Sequence, residues 1–385
     1  MFKIKTQNKI TPHGLDIFDK EKYTISDAET NPDAVIVRSA NMLETALNPE
    51  LKAIARAGAG FNNIPVDKCA EAGIVVFNTP GANANAVKEL ATAALILASR
   101  NIVDAVNWAK TLTADVAKSV ESGKSQFVGY EVIGKTLGII GVGKIGASVA
   151  NVGVALGMNV IGQDPYMTVE NALSLTRAVK MVKERSEIFE KSDYISLHPL
   201  FTPETKNLIN AESIAKMKDG VRIINLTRAE LVDDDAMTAA LESGKVAAYV
   251  TDFPNEKVLK MKNATAIPHL GASTEESEEN CAFMAVSQII DFLENGNIKN
   301  SVNYPELVMD RITATRICVF HKNVSGTISA ISSAVSELGI NIEHFTNRSR
   351  GDYAYTICDI NEKVPENLAA KILSVKDVIR INVIN

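Results

Sequence analysis

At 385 residues, 46% apolar and 22% charged, the chain has the size for two or three domains and the composition of an ordinary soluble globular protein. Its formal charge of −6, with Lys and Arg dispersed, excludes the basic footprint of a nucleic-acid-binding protein. No apolar run of ~18 residues marks a membrane span, and MFKIKTQNKITPHG has no signal-peptide core, so a cytoplasmic, membrane-free protein is expected. Cys69, Cys281, Cys318 and Cys358 lie far apart without a CxxC pair and read as reduced, buried thiols. No His, Cys or carboxylate spacing suggests a metal site.

In chain order, the first candidate strands are FKIKT (2–6), AVIVRS (34–39), LKAIARAG (51–58) and IVVFNT (74–79), punctuated by Gly, Pro and Asn. NAVKELATAALILAS (85–99) reads as a helix too apolar around its circumference to lie on the surface. The centre repeats the alternation: TLGIIG, MNVIGQ, DYISLH, VRIINL, AAYVTD and ATAIP are candidate strands, most of them separated by helical stretches. Near-continuous apolar strands between helices predict a parallel sheet covered on both faces. A helix over 280–296 follows, and Asn297 to Tyr304 reads as a linker. The last stretch, from TRICVFHK through ENLAAKIL to VIRINVI, reads strand, helix, strand, strand, helix, strand, the order of a ferredoxin-like unit.

GKTLGIIGVGKIGASVA (134–150) contains Gly141-x-Gly143-x-x-Gly146 between a predicted strand and a predicted helix, and the next strand ends in Asp164. This is the context a dinucleotide fingerprint requires. Gly141 permits the tight turn, Gly143 lets backbone approach a pyrophosphate, and Gly146 lets helix pack on strand, while the helix N-terminus offers free N–H groups. A carboxylate at Asp164 favours NAD over NADP, since it would repel a 2′-phosphate. Lys144 is expected to be solvated.

Ligands of an open parallel sheet sit beyond the carboxyl ends of its strands. Those ends carry the glycine turn, Asp164, His198-Pro199, Thr227-Arg228, Asp252 and, in IPHLGAST, His269. His269 can exchange a proton near neutrality. Arg228 can hold an α-carboxylate by two parallel bonds. Glu256 would orient the His269 ring and favour its charged form if it reaches it. His198 reads as cofactor packing rather than catalysis.

With VRSAN (37–41), RAGAGFNNIPVD (56–67), NTPGANANAVKELA (78–91), LHPLFTPET (197–205), INLTRAELVD (224–233), DFPNE (252–256) and IPHLGAST (267–274), the chain resembles the D-isomer-specific 2-hydroxyacid dehydrogenases over nearly its whole length. The resemblance implies two Rossmann-like doubly wound lobes: a discontinuous, flavodoxin-like substrate lobe from 1–84 and 271–303, and an NAD-binding lobe from 85–270, with hinges near 79–86 and 270–280. It implies catalysis by Arg228, Glu256 and His269, and NAD contacts at Gly143, Lys144, Ile145, Asp164, Thr227, Asp252 and Gly271. It also implies substrate contacts at Arg38, the amides of Ala59 and Gly60, and Asn83. Arg38 suits a phosphorylated hydroxy acid, which needs a cation remote from the reacting carbon. The expected reaction is oxidation of 3-phospho-D-glycerate to 3-phosphohydroxypyruvate, with glyoxylate, hydroxypyruvate or D-lactate as rival substrates and a non-catalytic NAD sensor as the rival outside enzymes. The sequence departs from the family in Ala229 and Glu230 after Arg228, in Thr251-Asp252-Phe253 before Glu256, and in Ala40 after Arg38-Ser39. The tail, 312–385, resembles an ACT domain, through HKNVSG (321–326) and GINI (339–342). That resemblance implies pairing between subunits in a homodimer or homotetramer and an L-serine site at His321, Asn323 and Asn341.

Overall fold

Short β-branched runs bounded by turn residues form the first sheet: β1 (Phe2–Gln7), β2 (Tyr23–Ser26), β3 (Ala34–Val37), β4 (Ala53–Arg56) and β5 (Val75–Phe77). The computed structural model describes residues 1–361 and 367–385; the chain divides into one unit of Met1–Asn83 with Glu275–Asn385 and a second of Ala84–Thr274. In the first unit the strands run parallel in the order β2-β1-β3-β4-β5, the flavodoxin-like order. All four residues of β3 are buried, because both faces are covered. Cys69 of the helix Val66–Glu71 packs with Val35, Val37 and Ile54 on one face. The helix Glu275–Asn295 packs Ala282, Ala285 and Ile289 against Ile36 and Ala55 on the other.

The second unit holds β6 (Thr136–Ile140), β7 (Asn159–Gln163), β8 (Lys180–Met181), β9 (Tyr194–Leu197), β10 (Val221–Asn225), β11 (Val246–Thr251) and β12 (Ala264–Ala266). They form one parallel sheet in the order β12-β11-β10-β9-β6-β7-β8. Strand order reverses between β6 and β9, which creates the switch point where such sheets bind ligands. The helix Ala84–Ser99, expected to be mostly buried, packs Ala91, Ala94, Leu95 and Ala98 with Ile139, Val149 and Val160.

The tail forms β13 (Thr315–Lys322), β14 (His344–Arg350), β15 (Tyr353–Ile360) and β16 (Val378–Ile384), an antiparallel sheet in the order β14-β15-β13-β16 with two helices. This is the predicted ferredoxin-like order; Glu366, the first residue of the predicted ENLAAKIL helix, lies outside the described residues. Alternation along β13 divides its side chains between two cores. Ile317 and Val319 join the tail's helices, while Cys318 and Phe320 join the core that contains Phe77, Phe292 and Tyr304 of the first lobe. The tail thus packs within the first unit rather than hanging from a tether. Arg316 sits at the join with no exposed side chain. It bonds Asp359 through Nε (2.7 Å) and Nη2 (2.8 Å), and donates to the carbonyls of Asn295, Met309 and Asp310 at 2.8–2.9 Å. All five guanidinium donors are therefore used. Arg316→Met leaves Asp359 buried without its counter-ion and should lower the unfolding free energy by roughly 3–5 kcal/mol, with the Arg316→Met/Asp359→Leu double variant recovering much of the loss; denaturant midpoints check both.

The expected linker at 297–304 is instead part of the lobe. Asn303 accepts from Val76 N (2.9 Å) and donates to Ile74 O (2.8 Å), and Tyr304 Oη donates to Ala70 O (2.7 Å). An Asn- and Ser-containing run resembles a loop by composition, but here its amide satisfies the open edge of β5.

Candidate active site

Because the second sheet is wholly parallel, its carboxyl ends share one edge, and the predicted residues of that unit stand along it. After β6, Gly141 has φ +86, and a Cβ there would lie 2.5 Å from the backbone of His198 and Pro199. A Cβ at Gly146 would overlap Gly141 O, whereas a Cβ at Gly143 would meet nothing within 4 Å. Gly143 caps the helix Lys144–Ala155 without a side-chain bond, so the first-turn amides, including that of Ile145, have no capping side chain to bond. Asp164, just beyond β7, accepts from Val142 N and Tyr166 N at 2.8 Å each, so it braces the glycine turn and retains lone pairs for ribose hydroxyls. Lys144 pairs loosely with Glu170 at 3.7 Å on the surface. These features fit a dinucleotide. Gly146→Ala should abolish detectable NAD binding in a titration of nucleotide fluorescence, because helix and turn can no longer approach.

Beyond β9, His198 bonds Ser196 Oγ through Nε2 at 2.8 Å, and its Nδ1 has no partner. Burial pushes this imidazole down to about 4, so it holds a proton only weakly and is a poor general base near neutrality. Beyond β10, buried Asn225 scaffolds the turn: its Nδ2 donates to Arg228 O (2.8 Å) and its Oδ1 accepts from Thr227 N (3.2 Å). Thr227 Oγ1 donates to Leu197 O (2.5 Å), tying the turn to β9. Half-buried Arg228 uses one donor on Thr227 O (2.7 Å) and pairs with no carboxylate among the described residues, so most of its fork is available for an anion. The sequence reading missed Asn225 and Ser196. Asparagine as the last residue of an apolar strand is a poor strand former and was the available signal.

Asp252 follows β11 and is fully buried; Oδ2 accepts from Gly271 N at 3.0 Å and Oδ1 has no partner. Burial raises its pKa, opposed by the Gly271 N–H and by the charge of His269. His269 itself is exposed, its ring tilted 47° against Phe253 at 4.7 Å between centroids. Glu256 is also exposed and makes no hydrogen bond or ion pair with His269; the buried Asp252 carboxyl feels the imidazole's charge.

In the first unit, Arg38, Ala59-Gly60 and Asn83 follow the neighbouring strands β3, β4 and β5, whose carboxyl ends also share an edge. The N–H groups of Ala59 and Gly60 donate to no partner among the described residues, and the Asn83 Oδ1 is buried without one. Arg38, by contrast, is paired with Glu278 at 2.6 Å. In the tail, buried His321 spends both ring nitrogens internally: Nδ1 on Lys322 O (2.8 Å), and Nε2 near Thr356 Oγ1 (3.0 Å) and Asn347 Oδ1 (3.1 Å). Asn323 donates to Gly351 O (3.0 Å) and Asn341 to Glu343 (2.9 Å), both exposed. Among the described residues no group of three His, Cys, Asp or Glu side chains is placed to hold a metal ion, and no helix is long and apolar enough to cross a membrane.

A wholly parallel sheet with a glycine turn at its switch point is the frame of a dinucleotide-binding fold, and along the same edge stand an exposed histidine and an arginine that has no carboxylate partner among the described residues. Residues 92–271 match the family described as D-isomer specific 2-hydroxyacid dehydrogenase, NAD binding domain, and residues 315–377 match the ACT domain. The chain is 32% identical to the D-3-phosphoglycerate dehydrogenase of Haemophilus influenzae, across 90% of this chain and 84% of that one. It is 39% identical to the hydroxypyruvate reductase of Thermotoga maritima, across 67% and 83%. The solved NAD+-bound 3-phosphoglycerate dehydrogenase of Entamoeba histolytica superposes with a TM-score of 0.63 at 30% identity, covering 80% of this chain and 99% of that one. This chain therefore belongs to the D-isomer-specific 2-hydroxyacid dehydrogenase family and carries an ACT domain. Two further curated D-3-phosphoglycerate dehydrogenases that it matches are longer, and it spans 64% and 53% of their lengths.

Proposed function

We propose that the chain catalyses NAD-dependent oxidation of 3-phospho-D-glycerate to 3-phosphohydroxypyruvate, the entry step to L-serine. The observation that carries this reading is the half-buried Arg228, without a carboxylate partner among the described residues, on the same sheet edge as His269 and the dinucleotide turn. NAD, when bound, supplies the hydride acceptor. Arg228 holds the substrate carboxylate through its free fork and draws electron density from the adjacent carbon. His269 takes the hydroxyl proton as C2 gives up its hydride, with the buried Asp252 carboxyl near enough to feel the imidazole's charge. Glu256 would add to this only by turning toward the ring. The Ala59 and Gly60 amides and Asn83 supply further polar contacts to substrate, and Arg38 the cation for its phosphate.

The name of the H. influenzae relative supports the phosphorylated substrate, whereas that of the T. maritima relative favours hydroxypyruvate as a second reading. Initial rates of NADH formation from 3-phospho-D-glycerate and from D-glycerate separate them. The proposal expects the phosphorylated acid to be preferred by at least tenfold in kcat/KM; equal values would overturn it. We further propose a cytoplasmic homodimer or homotetramer with L-serine as feedback effector. Support for the effector is the ACT domain match and the exposed amides of Asn323 and Asn341, with His321 bracing the loop from within.

A further inference from the structure

The Arg38–Glu278 pair is not a stray surface contact. Arg38 stands just beyond β3, and Glu278 lies in the acidic first turn of the helix Glu275–Asn295 together with Glu275 and Glu276. That helix cannot carry Glu278 away. Its apolar face, from Cys281 to Leu293, is locked in the lobe core. Its last carbonyls are held from the tail: Arg316 Nη1 donates to Asn295 O (2.8 Å), and Tyr355 Oη donates to Gly296 O (2.6 Å). The carboxylate contacts Nη2 at 2.6 Å, with both side chains about one third exposed (38% and 32%). Anything anionic arriving at Arg38 meets a guanidinium already paired with a carboxylate whose helix is held in the lobe core.

We propose that Glu278 is a specificity-determining residue that acts as a built-in competitor for Arg38, so that only a dianion displaces it; the inference rests on Arg38 being the phosphate cation of the proposed reaction. A phosphate monoester carries close to two negative charges at neutral pH and three strong acceptor oxygens, and it outcompetes a single carboxylate for the fork. A monoanionic or uncharged group at the same end of a hydroxy acid does not. The ion pair thus screens Arg38 from monoanions, at the cost of a weaker hold on the phosphate, and lowers the affinity of the site for bystander anions.

The test is steady-state kinetics on the full-length protein with Glu278→Gln, Arg38→Ala and the double variant. Removing the competitor should lower KM for 3-phospho-D-glycerate by roughly three- to fivefold, the range expected for a partly exposed ion pair. The change should fall on KM rather than kcat, shrink at high salt, and be absent with D-glycerate. It should also vanish in the Arg38→Ala background. Glu278→Asp, which keeps the charge, should leave KM nearer the parent value. An unchanged or higher KM in Glu278→Gln, while Arg38→Ala alone raises KM for the phosphorylated acid, overturns this inference and spares the phosphate reading of Arg38. No effect of Arg38→Ala on that KM overturns both.

Discussion

Replacing His269 by alanine lowers turnover by roughly 10²–10⁴-fold while NAD binding persists. The argument is chemical before it is structural. Oxidation of an alcohol removes a hydride and a proton, and the proton needs an acceptor that ionises near neutrality. The other candidate imidazole at this sheet edge, His198, is held neutral by burial down to about 4 and is committed to Ser196 through Nε2. Only His269 is exposed, close enough to Asp252 for the two charges to interact, and separate from the groups that shape the dinucleotide turn. Stopped-flow NADH formation gives the rate, and fluorescence titration gives the nucleotide affinity. Parallel losses in both would assign His269 to cofactor binding and remove the general base from the mechanism.

Arg228→Gln lowers kcat/KM by roughly 10²–10³-fold, and Arg228→Lys recovers little of it, because an ammonium cannot reproduce the planar fork. Arg228 is a half-buried cation without a carboxylate partner among the described residues, an arrangement that costs stability unless a ligand supplies the anion. The variants should consequently be no less stable than the parent in a thermal melt, even as they lose activity. Melting that falls in step with activity would mean that Arg228 is structural.

Much of this site was legible because strand ends in a parallel sheet are collinear in function as well as in sequence. An apolar run followed by a glycine turn, Asp164, Thr227-Arg228, Asp252 or His269 announces a lined edge once the strands are known to be parallel. The tail's strand and helix order was equally readable, since its β-branched and aromatic runs are separated by turn residues such as Gly326, Gly339 and Gly351. What escaped depends on contacts between distant segments. β2 and β8 are short and partly exposed, with little periodicity to find. The segment from Asn297 resembles a tether by composition, and only the fold brings the Asn303 amide to the edge of β5. Asn225 and Ser196 act through neighbours that periodicity does not reveal. Arg38 was read as an available cation, but Glu278 lies 240 positions away and only the fold brings them together. The effect of the His269 charge on Asp252 belongs to the same class, since the two residues follow different strands and only the sheet brings their ends together.

The most direct test uses 3-phospho-D-glycerate carrying deuterium at C2. The label should appear at C4 of the nicotinamide in the NADH formed, with a slowed single-turnover rate, and His269→Ala should form the same labelled product at a small fraction of the parent rate. Binding of both ligands without transfer of the label would contradict the account and leave a protein that senses NAD without using it.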